Sequence, residues 1–522
     1  MNTDKKIDVY ILPLLLLLVV CLVRSVSSPW SDFAGYYFGG RELLSGRYGN
    51  AYDMQNLNTL IASAGYHGVF VSYAPFPPFT SLVFAPFLPF PMGQSKLLFN
   101  GFSVALFLFT VIRSRKFFSI TGPQILLLTV VFLIPIINNL AFGQSYLLLC
   151  CLLLEGYMAY KKDKIVLSSF LWALAAVFKV FPAVILLFLL LKKKYRQAAW
   201  LCAACALLLL LSLLINGWPA WRYYITEILP KVNNGELNDS FTFMFQSAFM
   251  LFKKLFVYDA LLNPHPFYDN PYLFLTLAGL FKALILTACI TFTVRAGQRD
   301  FDSFAIWIMG SMLISPNGSS YSMVLLLIPL LALMTQKKTA ASILPALVLW
   351  AACYIPVFRL GNAPALLQFP RLYLLLIFFA FLLRPLKTAW HPGLWAALSL
   401  LFILPPIAGY RRDTDNSTYF LPAEQHIFIY DYSVSKGGLV YSWWDDKGPQ
   451  SAPAGFPVTS ATAEGLEIKN KQIYYNGKQL TSSPDSKKRP MLINGAFILY
   501  LSDKNRGPGF YTLRRLIPPR QG

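Results

Sequence analysis

Acidic side chains are scarce in this chain: Asp and Glu number 24 against 45 Lys and Arg, and all charged residues together make up 13% of 522 positions. That is about half the usual ~25% of a soluble domain, and with 56% hydrophobic residues it excludes a soluble enzyme. Histidine is rarer still. The four present (His67, His265, His391 and His426) show no metal-ligand spacing. Paired acidic motifs are missing too, so no metal requirement and no other cofactor is indicated. Cysteine is confined to apolar stretches, at Cys21, Cys150, Cys151, Cys202, Cys205, Cys289 and Cys353. That leaves none for disulfides or zinc in the polar C-terminal part. Cys202 and Cys205 have metal-like spacing, but they sit in a leucine-rich run without a second ligand pair and read as small packing residues. No internal repeat is present. A net charge of +21 raises nucleic acid as a partner, yet the basic residues gather between hydrophobic runs. There they read as topology signals and contacts to membrane lipids, and no nucleic-acid partner is expected.

Hydrophobic runs are what the chain has in quantity. Thirteen can be drawn, from 9–27 to 393–409, several shorter than the ~20 residues of a straight span. A cytoplasmic N-terminus puts eighteen basic residues into the short inside connections, among them Arg113, Arg115, Lys116, Lys161, Lys162, Lys192, Lys193 and Lys194. The longer outside connections carry fewer, which is the positive-inside pattern. The first run could be taken for a signal peptide but reads as a retained helix. An odd number of spans then leaves the C-terminal part outside. The expected fold is an integral membrane all-α polytopic bundle of about 13 segments with a small C-terminal antiparallel β domain. Residues 1–409 form the membrane domain, with long outer loops at 29–95 and 216–270, and residues 410–522 an extracytoplasmic β-rich domain. Asn476-Gly477 and Asn494-Gly495, each between β-prone runs, predict hairpins. The location predicted is the inner (plasma) membrane.

The stretch from Ser31 to Tyr37 follows the first run directly. A carboxylate there, Asp32 beside Trp30, Phe33, Tyr36 and Tyr37, is poorly hydrated and next to surfaces on which sugars stack. Ionisable groups at membrane depth are costly and are functional candidates; an ordinary helix cap within an aromatic belt is the competing reading. Lys179 lies between two apolar stretches whose other ends are both cytoplasmic, so the chain turns near it at the outer side. It is either a lysine snorkelling to the interface or a compact cation for a lipid phosphate. Gln246-Ser247 opens a short amphipathic segment. Ser315-Pro316-Asn317 and Tyr321 break a hydrophobic pair at the outer side, and such backbone is tolerated only where it lines a cavity or is buried in protein. Asn138, Asn139 and Gln144 form another polar outer turn expected to face the same cavity.

The run Asp32-Phe33-Ala34-Gly35-Tyr36-Tyr37, leading to Leu43-Leu44-Ser45-Gly46, resembles the first outer loop of GT-C superfamily glycosyltransferases that use polyprenol-phosphate sugars. It is similar to family 87, with its mannosyltransferases. The resemblance implies that Asp32 is the catalytic base and that Lys179, in a Lys-x-x-Pro element, binds the donor phosphate. By the same resemblance Tyr36, Tyr37, Gln246, Ser247, Ser315, Asn317 and Tyr321 line the substrate site, which Gln144, from its polar turn, is expected to share. Three departures stand out: Phe76 replaces the Tyr of a Tyr-Pro-Pro element, Phe245 an Asn, and Tyr321 stands near a common histidine. The function implied is inverting transfer of a hexose, mannose by analogy, from a polyprenyl-phosphate donor to a lipid-linked glycan or glycolipid at the outer face. One carboxylate suffices because the donor already carries a good leaving group, in contrast to the paired carboxylates of glycoside hydrolysis. A lipid or polysaccharide transporter, or a membrane-anchored binding protein working through its β domain, are the rival readings.

Overall fold

Leucine, alanine and phenylalanine fill the long runs, and a helix satisfies every backbone donor and acceptor where water is absent. The computed structural model describes residues 9–27, 31–237, 240–260, 262–336, 339–384, 391–410, 415, 417–421, 428–435, 438–445, 447–504 and 506–517. Among the described residues, four helices are long and apolar enough to cross a membrane: Met92–Phe118, the kinked Tyr195–Asn233, Pro271–Arg295 and Pro392–Gly409. Gly122–Val131 and Leu133–Phe142, bent by 56°, make a fifth if counted as one span. The chain is therefore a mostly helical, multi-pass membrane protein with a C-terminal antiparallel β region. The other expected segments fall on shorter helices. Leu12–Ser25, for example, has 14 residues and rises only about 21 Å, against a hydrocarbon core of about 30 Å.

The outer connection expected to begin at residue 216 begins inside a helix. Tyr195–Tyr223 runs past Asn216 and breaks at Gly217 (φ 80°, ψ 156°). Asn216 holds the break: its amide donates to the carbonyl of Pro78 (3.2 Å) and to Ser212 Oγ (3.0 Å), and its oxygen accepts from Ser81 Oγ (3.0 Å). A buried polar side chain so satisfied ties the second long connection to the first.

All eleven strands among the described residues lie between Ser417 and Leu516. One sheet runs in the spatial order Ser417–Tyr419, Thr512–Leu516, Phe497–Ser502, Lys487–Ile493, Ala461–Thr462, every pairing antiparallel. Ile429–Ser435, Gly438–Asp445 and Gly448–Pro453 form a meander, and Leu466–Lys469, Gln472–Tyr475 and Lys478–Gln479 another. Both Asn-Gly pairs make the expected hairpins, with positive φ at Asn and at Gly, as the mirror-image turn type requires. The β region rests on the two long connections expected at the outer side. Met54 N donates to the carbonyl of Pro508 at 2.8 Å. Lys231 pairs with Asp503 at 3.0 Å, and Lys471 with Glu227 at 2.9 Å. Met54, Trp444 and Phe510 form a shared apolar cluster.

Candidate active site

Asp32 lies in the short helix Ser31–Ala34, which continues as one π-helical turn, Gly35–Gly39, and then as Gly40–Leu44. Single π turns recur at functional sites. This one buries Tyr36 completely while leaving Asp32 partly open. Gln144 arrives from the opposite side, just past the helix Leu133–Phe142, whose end is Gly143 in the left-handed region (φ 65°). A Cβ on Gly143 would sit 2.7 Å from Phe33 Cβ, so glycine is needed there for backbone and for space. The amide N–H of Gln144 then donates to the carbonyl of Asn139 at 2.7 Å, which aims its side chain at Asp32. Lys179 closes the helix Ile165–Lys179, and the next residue, Val180, holds φ 57°, ψ −54°. A β-branched residue with that backbone is strained. The strain turns the chain sharply behind the lysine.

These elements meet in one line of hydrogen bonds. Lys179 Nζ donates to Tyr36 Oη (3.0 Å), Tyr36 Oη to Gln144 Oε1 (2.9 Å), and Gln144 Nε2 to Asp32 Oδ2 (2.7 Å). Direction is forced by the two ends, because an ammonium can only donate and a carboxylate can only accept. Oδ1 of Asp32 accepts no hydrogen bond among the described residues. The Lys179 ammonium also lies over aromatic rings, 4.1 Å from the centre of Phe76 and 4.8 Å from that of Tyr146. Phe76, which lacks the hydroxyl of the tyrosine it replaces, thus supplies a ring face to a cation. It stacks on Tyr36 with centroids 4.4 Å apart. Burial pushes the carboxyl of Asp32 above its usual range, with the Gln144 hydrogen bond and the Lys179 charge opposing that shift.

Beside this line opens a cavity of about 460 Å³, within the range of small-ligand sites. Gln144, Tyr146, Lys179, Gln246, Ser315, Asn317 and Tyr321 line it; Asp32 and Tyr36 stand bonded behind Gln144 and Lys179. The structure therefore gathers most of the expected residues and separates a few. Tyr37 is buried away from the cavity, its hydroxyl donating to the carbonyl of Phe90 at 2.9 Å. Ser247 caps the helix Ala248–Phe256 and donates to the carbonyl of Pro316 at 2.7 Å, a bracing contact between two loops. Gln246 lines the wall, but its amide is spent on the carbonyls of Phe243 and Gln368, both at 2.7 Å. Ser315 and Asn317 bond to each other within their turn. Tyr321 packs against Tyr146 at 5.5 Å. Asn138 ties to Ser320 at 3.0 Å, outside the lining, and Trp30 lies outside the described residues.

Sequence reasoning passed over Tyr146, Lys282 and Arg371, all in the cavity wall. Lys282 carried a usable signal, a lone charge inside a long apolar run. Arg371 carried a weaker one, as the first residue of its apolar segment.

Residues 74–316 of this polytopic helical protein match a family model of membrane glycosyltransferases, so over that stretch the chain is similar to that class. The family is glycosyltransferase family 87, and the chain resembles it over the stretch holding Phe76, Gln144, Lys179, Gln246 and Ser315. Asp32 and the β region lie outside that stretch. No curated protein and no solved structure matches the chain.

Proposed function

We propose that the protein transfers a hexose from a polyprenyl-phosphate donor to a lipid-linked glycan or glycolipid at the outer face of the membrane. Mannose is the sugar favoured by the likeness to family 87. The observation that carries this reading is the line from Lys179 through Tyr36 and Gln144 to Asp32, which sets a cation and a carboxylate at fixed separation beside one cavity. Asp32, through its free Oδ1, takes the proton of the acceptor hydroxyl as that oxygen bonds to the anomeric carbon. The bond from that carbon to the phosphate oxygen breaks, the pair leaves with the phosphate, and Lys179 steadies the charge that develops. Attack opposite to the leaving group inverts the anomeric centre. The raised pKa supports the base role, since a poorly hydrated carboxylate is the stronger base. No metal is assigned a step.

The test offers purified protein in lipid vesicles two donors of the same hexose, one polyprenyl-phosphate-linked and one nucleotide-linked. Transfer from the polyprenyl phosphate alone is expected. Transfer from the nucleotide sugar alone would overturn the donor assignment.

A further inference from the structure

The helix Met92–Phe118 carries two polar side chains, deep in the protein, that no step of the proposed transfer uses. Lys96 is 1% exposed and Asn100 is fully buried. Lys96 Nζ donates to the carbonyl of Ala141 at 2.6 Å. Asn100 Nδ2 donates to the carbonyl of Leu140 at 2.9 Å and to Ser25 Oγ at 3.1 Å. Both carbonyls belong to the last turn of the helix Leu133–Phe142. Gly143 follows that helix, and then Gln144, whose amide reaches Asp32.

A helix end leaves its last carbonyls without partners in the helix. The chain itself meets two of them here: Gly143 N donates to Leu140 at 3.2 Å and Gln144 N to Asn139 at 2.7 Å. The Ala141 carbonyl falls to Lys96. A buried ammonium is a costly way to satisfy one carbonyl, although the negative end of a helix dipole is where a cation is best received. The same helix face also holds the other partner. Positions 96, 99 and 100 share one side at helical spacing. Phe99, between the two polar residues, packs with its ring centre 6.0 Å from that of Phe33, the residue after Asp32. Ser25, which Asn100 also reaches, is the last residue of the helix Leu12–Ser25 that precedes Asp32. One helix face thus grips the segment that carries the carboxylate and the turn that carries its amide partner.

We propose that Lys96 and Asn100 are positioning residues for the transfer: by gripping the end of the helix Leu133–Phe142 they hold the Gln144 amide on Asp32. The inference rests on the reading of Asp32 as the base. Both residues act on Asp32 through Gln144, whose hydrogen bond favours the ionised carboxylate. The charged and titratable groups that face this carboxylate among the described residues are the Lys179 ammonium and the hydroxyls of Tyr36, Tyr146 and Tyr321. All of them stay in place in the variants below.

The experiment titrates the Asp32 carboxyl by infrared difference spectroscopy on the purified full-length protein in lipid vesicles, with the Asp32→Asn spectrum subtracted. Gln144→Leu should raise the midpoint by about one pH unit, because a hydrogen bond to the ionised form is lost. Lys96→Met and Asn100→Leu should each raise it too, and neither should add a further rise in the Gln144→Leu background. Asn100→Leu removes no charge, so its rise cannot come from a lost cation, and it makes the same test should Lys96→Met fail to fold. Lys96→Arg, which keeps a donor for the Ala141 carbonyl, should stay near the wild-type midpoint. In turnover, Lys96→Met and Asn100→Leu should lower kcat and leave KM for the donor unchanged. A midpoint unmoved in both variants would overturn the proposal. So would a rise of equal size on top of Gln144→Leu, since the action on Asp32 would then bypass the amide. The titration needs no sugar donor: absence of transfer would overturn the reaction proposed above and leave the grip on Gln144 standing.

Discussion

At the scale of single residues, Tyr36 is the hinge of the site because its hydroxyl accepts from Lys179 and donates to Gln144. Tyr36→Phe leaves Gln144 Oε1 without its donor and lets the amide turn from Asp32, a loss of about 1–3 kcal/mol. The sign of the effect on acidity follows. Burial raises the Asp32 pKa and the Gln144 hydrogen bond lowers it, so losing that bond raises it further. A base acts only when deprotonated. The acid limb of turnover against pH should therefore lie above the ordinary carboxylate value of about 3.9, and Tyr36→Phe or Gln144→Leu should move it higher still. A limb that stays put in both variants, or moves down, would separate Gln144 from the titrating group. Asp32 was legible in the sequence because a carboxylate just past an apolar run is conspicuous. Its partners were less so: Gln144 is 112 residues away, and nothing local says which of two polar outer turns will face it. Tyr37 and Ser247 were misleading for the same reason, since polarity near the membrane edge marks a bracing contact as readily as a ligand contact.

Two elements decide whether these side chains meet. Gly143 ends a helix with a left-handed residue and lets Phe33, the neighbour of Asp32, pack on its backbone. Gly143→Ala combines the backbone cost with a steric one and should destabilise the fold by about 2–4 kcal/mol, lowering the unfolding temperature together with turnover. An unchanged unfolding temperature would mean that the turn carries no strain. The other element is the loop that includes Asp503, Arg506 and Gly509. Lys231 donates to Asp503 Oδ2 and to the carbonyl of Arg506, both at 3.0 Å. A Cβ on Gly509 would fall 2.4 Å from Asp53 Oδ1. The segment it grips supplies Leu229, Val232, Asn233, Gly235 and Leu237 to the cavity wall. Lys231→Met leaves a mostly buried Asp503 without its cation, a change costing about 3 kcal/mol. It should expose the β region to protease and lower turnover; resistance equal to wild type would show that the loop does not hold the wall. The hairpins of the β region were readable because Asn-Gly turns act locally. Its docking was not, because complementary surfaces leave no periodic trace in either partner.

For the whole molecule, the β region touches residues 53–54 of the first long connection and residues 227–237 of the second, so all three lie on one face of the membrane part. From the charge pattern we propose that this face is the outer one. A reporter active only in the cytoplasm, fused after Gly522, should stay silent, and an active fusion would reverse the assignment. The membrane class was evident from composition. The number of spans was not, because runs of 10–17 apolar residues form helices too short to settle by length whether each crosses. Most direct of all is the single-turnover rate of hexose transfer from a polyprenyl-phosphate donor in wild type and Asp32→Asn, at equal amounts of correctly folded protein. The carboxylate as base predicts a fall of about 10²–10⁴ with donor binding retained. A rate within tenfold of wild type would contradict it.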